Sequence, residues 1–133
     1  MNVTEAAERW ARTWEQAWPA RDPAQIAALY ATTATYRSHP HRDPEVGGAL
    51  AYTTKTFAEE QAIQCRFGAP IAADGRAAVE WWASWSEDDR ELTLSGTTIL
   101  RFDDDGLVVD HVDYWVESAG RLLPFARWAT PYT

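Results

Sequence analysis

The stretch "RELTLSGTTILRFDDDGLVVDHVDYWVE", residues 90–117, shows a period of two on both sides of an Asp-rich turn. Leu92, Leu94, Gly96, Thr98, Leu100 and Phe102 share one face of the first strand, with Thr93, Ser95, Thr97, Ile99 and Arg101 on the other. The first set is the expected inner face. In the second strand His111, Asp113 and Trp115 lie opposite Asp110, Val112, Tyr114 and Val116. Neither of these faces is uniformly apolar, so alternation alone leaves open whether the His and Asp meet solvent or an interior. The carboxylates of "DDDG", residues 103–106, lack the spaced oxygen ligands of a calcium loop, and a turn with Gly106 at positive φ accounts for them.

Working outward, "RAAVEWWASWS" (residues 76–86) is a further strand. A tight hairpin through Asp88 and Asp89 pairs Trp85 with Leu92 and Trp81 with Gly96, which puts Val79, Trp81, Ala83 and Trp85 on the inner face. A one-residue bulge would reverse that assignment for Trp82. "CRFGAPIAA" (65–73) precedes it, and connections this short make the strands successive antiparallel hairpins.

The N-terminal half has helical periods. Val3, Ala7, Trp10, Trp14 and Ala17 or Trp18 recur at three- and four-residue steps, with Asn2 or Thr4 as cap and Pro19 as stop. Asp22, Pro23 and Gln25 open a second helix with Ile26, Leu29 and Tyr30 on its apolar face. A strand beginning at Tyr36–Ser38 and the loop "HPHRDPEVGG" follow, then a third helix from about Val46 to Gln61 with Leu50 and Phe57 inward. The expected class is α+β: three N-terminal helices packed on a curved, mostly antiparallel sheet, in one domain over residues 1–133.

Composition excludes several roles. Twelve Lys and Arg against twenty Asp and Glu give a net charge of −8, which argues against nucleic acid as a partner. The N-terminus has no signal-peptide pattern and no apolar run is long enough to span a bilayer, so no membrane partner and a cytoplasmic location are expected. The single Cys65 reads as a small buried hydrophobe. No phosphate loop, nucleophilic triad or metal signature occurs, and the expectation is chemistry without metal or cofactor.

Candidate site residues centre on Asp113 and His111. A carboxylate among aromatic walls suits proton transfer, with His111 as partner or electrophilic donor. Their Cα atoms lie roughly 6–7 Å apart along a strand, near enough to touch one ligand without assuring a direct hydrogen bond. A structural His–Asp pair is the alternative. His39 and His41 fall in the loop where a pocket mouth is expected, or serve as solvated loop residues and backbone caps. Trp14, Trp18, Tyr30, Tyr36, Trp81 and Trp115 are wall candidates for a flat, apolar or aromatic ligand, and Thr98 joins them from the inner face.

"ALYATTATY" (28–36), "RDPEVGG" (42–48) and "FDDDGLVVDHVDYW" (102–115), in that order and spacing, resemble the SnoaL-like branch of the NTF2-like superfamily. The resemblance spans nearly the whole chain. It implies a cone-shaped fold enclosing a pocket, a homodimer through the outer sheet face, and a last strand whose His111, Asp113 and Trp115 look into the pocket. It also implies Asp113 as the general acid/base of the polyketide-cyclase type. The ketosteroid isomerase set of that superfamily falls on Trp14, near Ser38 and on Thr98; all three differ, so that chemistry is not implied. Three roles stay open: an isomerase, cyclase or lyase working by proton transfer, a non-catalytic domain binding a small molecule or dimerising, and an interaction module using the outer sheet face.

Overall fold

The computed structural model describes residues 1–130. Its order is α1 (Val3–Ala20), α2 (Pro23–Ala27), β1 (Tyr30–Arg37), α3 (Gly48–Glu59), β2 (Gln61–Phe67), β3 (Ile71–Ala73), β4 (Arg76–Glu87), β5 (Arg90–Phe102) and β6 (Val108–Ala119). Six strands form one sheet, in the order β1-β6-β5-β4-β2 with β3 paired to β4 beside that path. All pairings are antiparallel except β1 with β6. The class is the expected α+β.

Asn2 caps α1 by accepting the Glu5 N–H at 2.8 Å. Trp10, Trp14 and Trp18, four residues apart, are all buried against the inner face of the sheet. Pro19 lies in the last turn of α1 instead of stopping it. A proline there cannot donate to the carbonyl four residues back, and the Cys65 thiol donates to that Glu15 carbonyl instead, at 3.6 Å. The helix ends at Arg21, in the left-handed region with φ 56°.

Two N-terminal expectations are corrected. The second helix is only five residues long, and Tyr30, expected on its apolar face, is the first residue of β1. The Val108 N–H donates to the Leu29 carbonyl at 2.9 Å, which draws the β-branched stretch after it into parallel pairing with β6. The third helix runs over Gly48–Glu59, and Leu50 is exposed while Ala49, Thr53 and Phe57 make its buried stripe.

The sheet follows the alternation. Asp88 and Asp89 both take positive φ, 50° and 60°, giving the two-residue turn whose twist suits a hairpin. Trp85 pairs with Leu92 and Trp81 with Gly96. The register carries on across β6, with Gly96 beside Trp115, Thr98 beside Asp113 and Leu100 beside His111. Asp103 Oδ1 accepts the N–H groups of Asp105 and Leu107 at 2.9 and 3.0 Å, so its carboxylate folds the turn.

Residues after β6 cross the outer face of the sheet. Trp82 donates its indole N–H to the Leu122 carbonyl at 2.7 Å, and Thr93 Oγ1 donates to the Gly120 carbonyl at 2.8 Å. Thr93 is therefore buried, whereas Ser95, Tyr114 and Val116 stay exposed on that face.

Gly96 is where the inner wall comes closest to the backbone. A Cβ there would run into the Tyr114 carbonyl oxygen and stand 3.0 Å from the Trp81 ring. Gly96→Ala is expected to lower stability by about 1–3 kcal/mol in urea unfolding, because neither a paired strand nor a buried indole can give way.

Candidate functional site

A cavity of about 520 Å³ lies between α1, α3 and the concave face of the sheet. Trp10, Trp14 and Trp18 enter it from α1, Trp81 and Trp85 from β4, Thr98 from β5, and His111, Asp113 and Trp115 from β6. His111 is buried, at 1% exposure, while Tyr114 and Val116 of the opposite face are 47% and 67% exposed. The polar face of β6 thus looks inward.

The polar groups form a chain whose donors can be assigned one by one. Indole N–H groups only donate. Trp10 and Trp14 both donate to Tyr30 Oη, at 2.9 and 3.3 Å. With its lone pairs so engaged, the Tyr30 hydroxyl gives its own proton to His111 Nδ1, 2.8 Å away. His111 is then the Nε2–H tautomer, and it donates to Asp113 Oδ1 at 2.8 Å. From the other side Trp81 donates to Thr98 Oγ1 at 2.8 Å, and Thr98 donates onward to the same Asp113 Oδ1 at 2.5 Å. Two donors converge on Oδ1, which leaves Oδ2 without a partner among the described residues.

The direct His111–Asp113 hydrogen bond goes beyond the expected spacing of the pair. Side chains on one strand face lean along the strand, so residues two apart can close a gap that separates their backbones. Tyr36 stacks on the His111 ring with centroids 3.9 Å apart. Burial, and then the charge of Asp113, raise the Tyr36 phenol well above its ordinary value, so it stays a neutral donor. Burial raises Tyr30 and Tyr52 in the same way.

Three wall candidates stand elsewhere. Tyr30 does not line the cavity but sits behind His111 and orients it. His39 and His41 are not among the lining residues either. His39 Nδ1 accepts the His41 backbone N–H at 3.2 Å and its ring packs edge-on against Trp115, while His41 is exposed. A short loop with one ring turned back on its own backbone cannot also send that ring inward. The cavity rim is instead made by Arg42, Glu45 and Val46 of the same loop, with Arg42 over the Trp115 ring at 5.3 Å.

Glu60, just past α3, was not singled out from the sequence. It is 5% exposed and lines the cavity, with the Trp18 indole donating to its Oε1 at 2.7 Å. Burial is the main reason its carboxyl rises from 4.5 to about 7; Glu87 and Glu59 add to the rise, and Trp18 and Arg21 oppose it. Its position between two polar residues at a helix end carries no periodic signal. No group of three His, Cys, Asp or Glu residues able to hold a metal ion occurs among the described residues.

The SnoaL-like domain family model matches residues 8–111. The chain belongs to the SnoaL-like family. Solved structures agree on the fold. A hypothetical protein with a ketosteroid isomerase-like fold from Catenulispora acidiphila, in complex with trimethylamine, is 17% identical, with TM-score 0.70 over 85% of this chain and 86% of that one. The epoxide hydrolase/cyclase-like enzyme SalBIII, with a role in pyran ring formation in salinomycin, is 12% identical, with TM-score 0.74 over 87% and 96%. Rv0760c from Mycobacterium tuberculosis is 14% identical, with TM-score 0.71 over 90% and 99%. No curated protein matches the sequence. Among the described residues no helix is long and apolar enough to cross a membrane.

The donor chain predicts a pyrrole-type ¹⁵N shift for His111 Nε2 and a pyridine-type shift for Nδ1. Tyr30→Phe should mix the tautomers and cost about 2–4 kcal/mol in urea unfolding, because two indole donors lose their acceptor. Glu60 gives a pH signature of known sign. Below pH 4.5 both states hold its proton; between 4.5 and about 7 the unfolded chain releases it first and stability falls. Relative to wild type, Glu60→Gln should therefore gain about 3 kcal/mol between pH 4 and pH 8.

Proposed function

We propose that this SnoaL-like protein is a cofactor-independent acid–base enzyme acting on a small, largely apolar or aromatic carbonyl compound. One observation carries the reading: Asp113 has one carboxylate oxygen held by His111 and Thr98 while the residue faces a cavity walled by indoles. An oxygen fixed by two donors sets the orientation of the other, which is what a general base requires.

In this mechanism Asp113 Oδ2 takes a proton from carbon next to the substrate carbonyl. The electron pair moves into the carbonyl and leaves an enolate oxygen, to which the Tyr36 hydroxyl donates a hydrogen bond. The proton on Asp113 is then returned at another carbon, for an isomerisation; passed to the leaving group as the enolate expels it and re-forms the carbonyl, for a lyase; or passed to the alkoxide formed when the enolate carbon attacks a second carbonyl of the substrate, for a cyclase. His111 is a positioning residue: one ring face is stacked on Tyr36 and its two nitrogens are committed. The similarity of fold to SalBIII, an epoxide hydrolase/cyclase-like enzyme, supports an enzymatic reading.

A second reading rests on the same hydrogen bonds, which would equally hold Asp113 as a fixed acceptor in a binding domain without turnover. The probe 5-nitrobenzisoxazole separates the two, because ring opening needs only a base to take its C–H proton while the N–O bond breaks. Wild type should open it with Asp113→Asn slower by about 100-fold or more, the variant keeping its melting temperature within a few degrees. Equal rates for the two proteins would remove Asp113 as base, and a melting temperature raised by aromatic ketones with no turnover would leave a binding domain.

A further inference from the structure

We propose that the Glu60 end of the cavity is a subsite for an organic cation, a quaternary or protonated tertiary ammonium group. It is separate from the Asp113 end and independent of whether Asp113 does chemistry. Along β5, Leu92 and Thr98 both line the cavity, and six residues of strand span roughly 20 Å. Asp113 pairs beside Thr98, whereas Leu92 pairs beside Trp85, whose indole borders the other end. Tyr52 also lines the cavity.

The geometry at that end has the parts that recognise a cation without water. Glu60 is buried, yet only Oε1 is engaged, by an uncharged indole. None of the salt bridges among the described residues involves it. A buried carboxylate without a positive partner is costly, and an ammonium ligand would supply that partner. Trp18 and Trp85 pack against each other, ring centroids 5.7 Å apart and tilted by 49°, and both border the space. Phe57 closes it from α3. Elsewhere guanidinium groups stand over Trp115 and Trp128, but among the described residues no cation stands over Trp18 or Trp85. Aromatic faces beside a carboxylate attract a weakly hydrated, methylated cation, which loses little in leaving water. A divalent metal would need several converging ligands, and no such group occurs there.

Charged neighbours favour the same ligand. Glu59 and Glu87 act on Glu60 with the same sign of charge, and Arg21, which donates to the Phe57 and Ala58 carbonyls, is the weakest of the influences on it. The Cys65 thiol on β2, pushed up to about 12 by burial first and then by the charges of Glu15 and Glu60, stays neutral and donates to the Glu15 carbonyl. Lys55 and Arg90 also line the cavity, and neither is salt-bridged to Glu60 among the described residues.

Choline and its uncharged isostere 3,3-dimethylbutan-1-ol test the subsite, each titrated into the full chain while the Trp18 indole N–H is followed by NMR. Choline should bind at least about tenfold more tightly than the alcohol at pH 8, and lose about tenfold of its affinity at pH 6 as Glu60 takes up its proton. Glu60→Gln keeps an acceptor for Trp18, and should bring choline to the affinity of the alcohol at both pH values. Unchanged binding of the alcohol to that variant certifies an intact cavity. Equal affinity of the two probes for wild type overturns the proposal. So does choline binding that survives Glu60→Gln, or that is lost on Asp113→Asn instead.

Discussion

A phenol oxygen with two indole donors pointed at it has one place left to send its proton. That constraint at Tyr30 fixes the tautomer of His111, and His111 in turn fixes which oxygen of Asp113 is occupied. None of these groups can rotate away without stranding a buried donor, which in a wall this apolar is worth more than the bond itself. The orientation of Asp113 is thus set by residues on α1, β1 and β6 at once, and by Trp81 through Thr98 from β4 and β5.

The abundance of tryptophan acquires a reason beyond filling space. Indole nitrogens donate to Tyr30, Glu60, Thr98, Glu87, the Ser38 carbonyl and the Leu122 carbonyl. An indole brings a large apolar face and a donor that does not titrate in the same side chain. Lysine or arginine in those places would bring charge into the cavity wall; tryptophan holds the acidic groups and leaves their charge uncompensated. That is why Glu60 can be both anchored and shifted.

Much of this was legible in the residues. The two-residue hairpin at Asp88 and Asp89 made the pairing of Trp81 with Gly96 a matter of counting, and period-two alternation then put Thr98 and Asp113 on one face. Which way the last strand looked could not be read from Val112 and Val116 against His111 and Asp113, and needed the family resemblance. Tyr30 was misplaced because capping signals at Asp22 and Pro23 mark where a helix starts but not that it will last only five residues. Glu60 escaped notice because its importance comes from what folds over it, Trp18 from 42 residues away, and no local pattern encodes that.

The register of β4 against β5 carries a consequence for how this chain can vary. The alternation within β4 has no spare residue: a codon inserted or deleted between Trp81 and Trp85 would put one of the two indoles on the opposite face and take it out of the cavity wall. Lineages carrying this fold are therefore free to retune the ligand by exchanging side chains on the inner face, one at a time. The rim has more latitude in length, because Arg42, Glu45 and Val46 project from a loop held to the sheet by the Glu45 N–H to the Tyr36 carbonyl, at 2.8 Å, and not by a strand register.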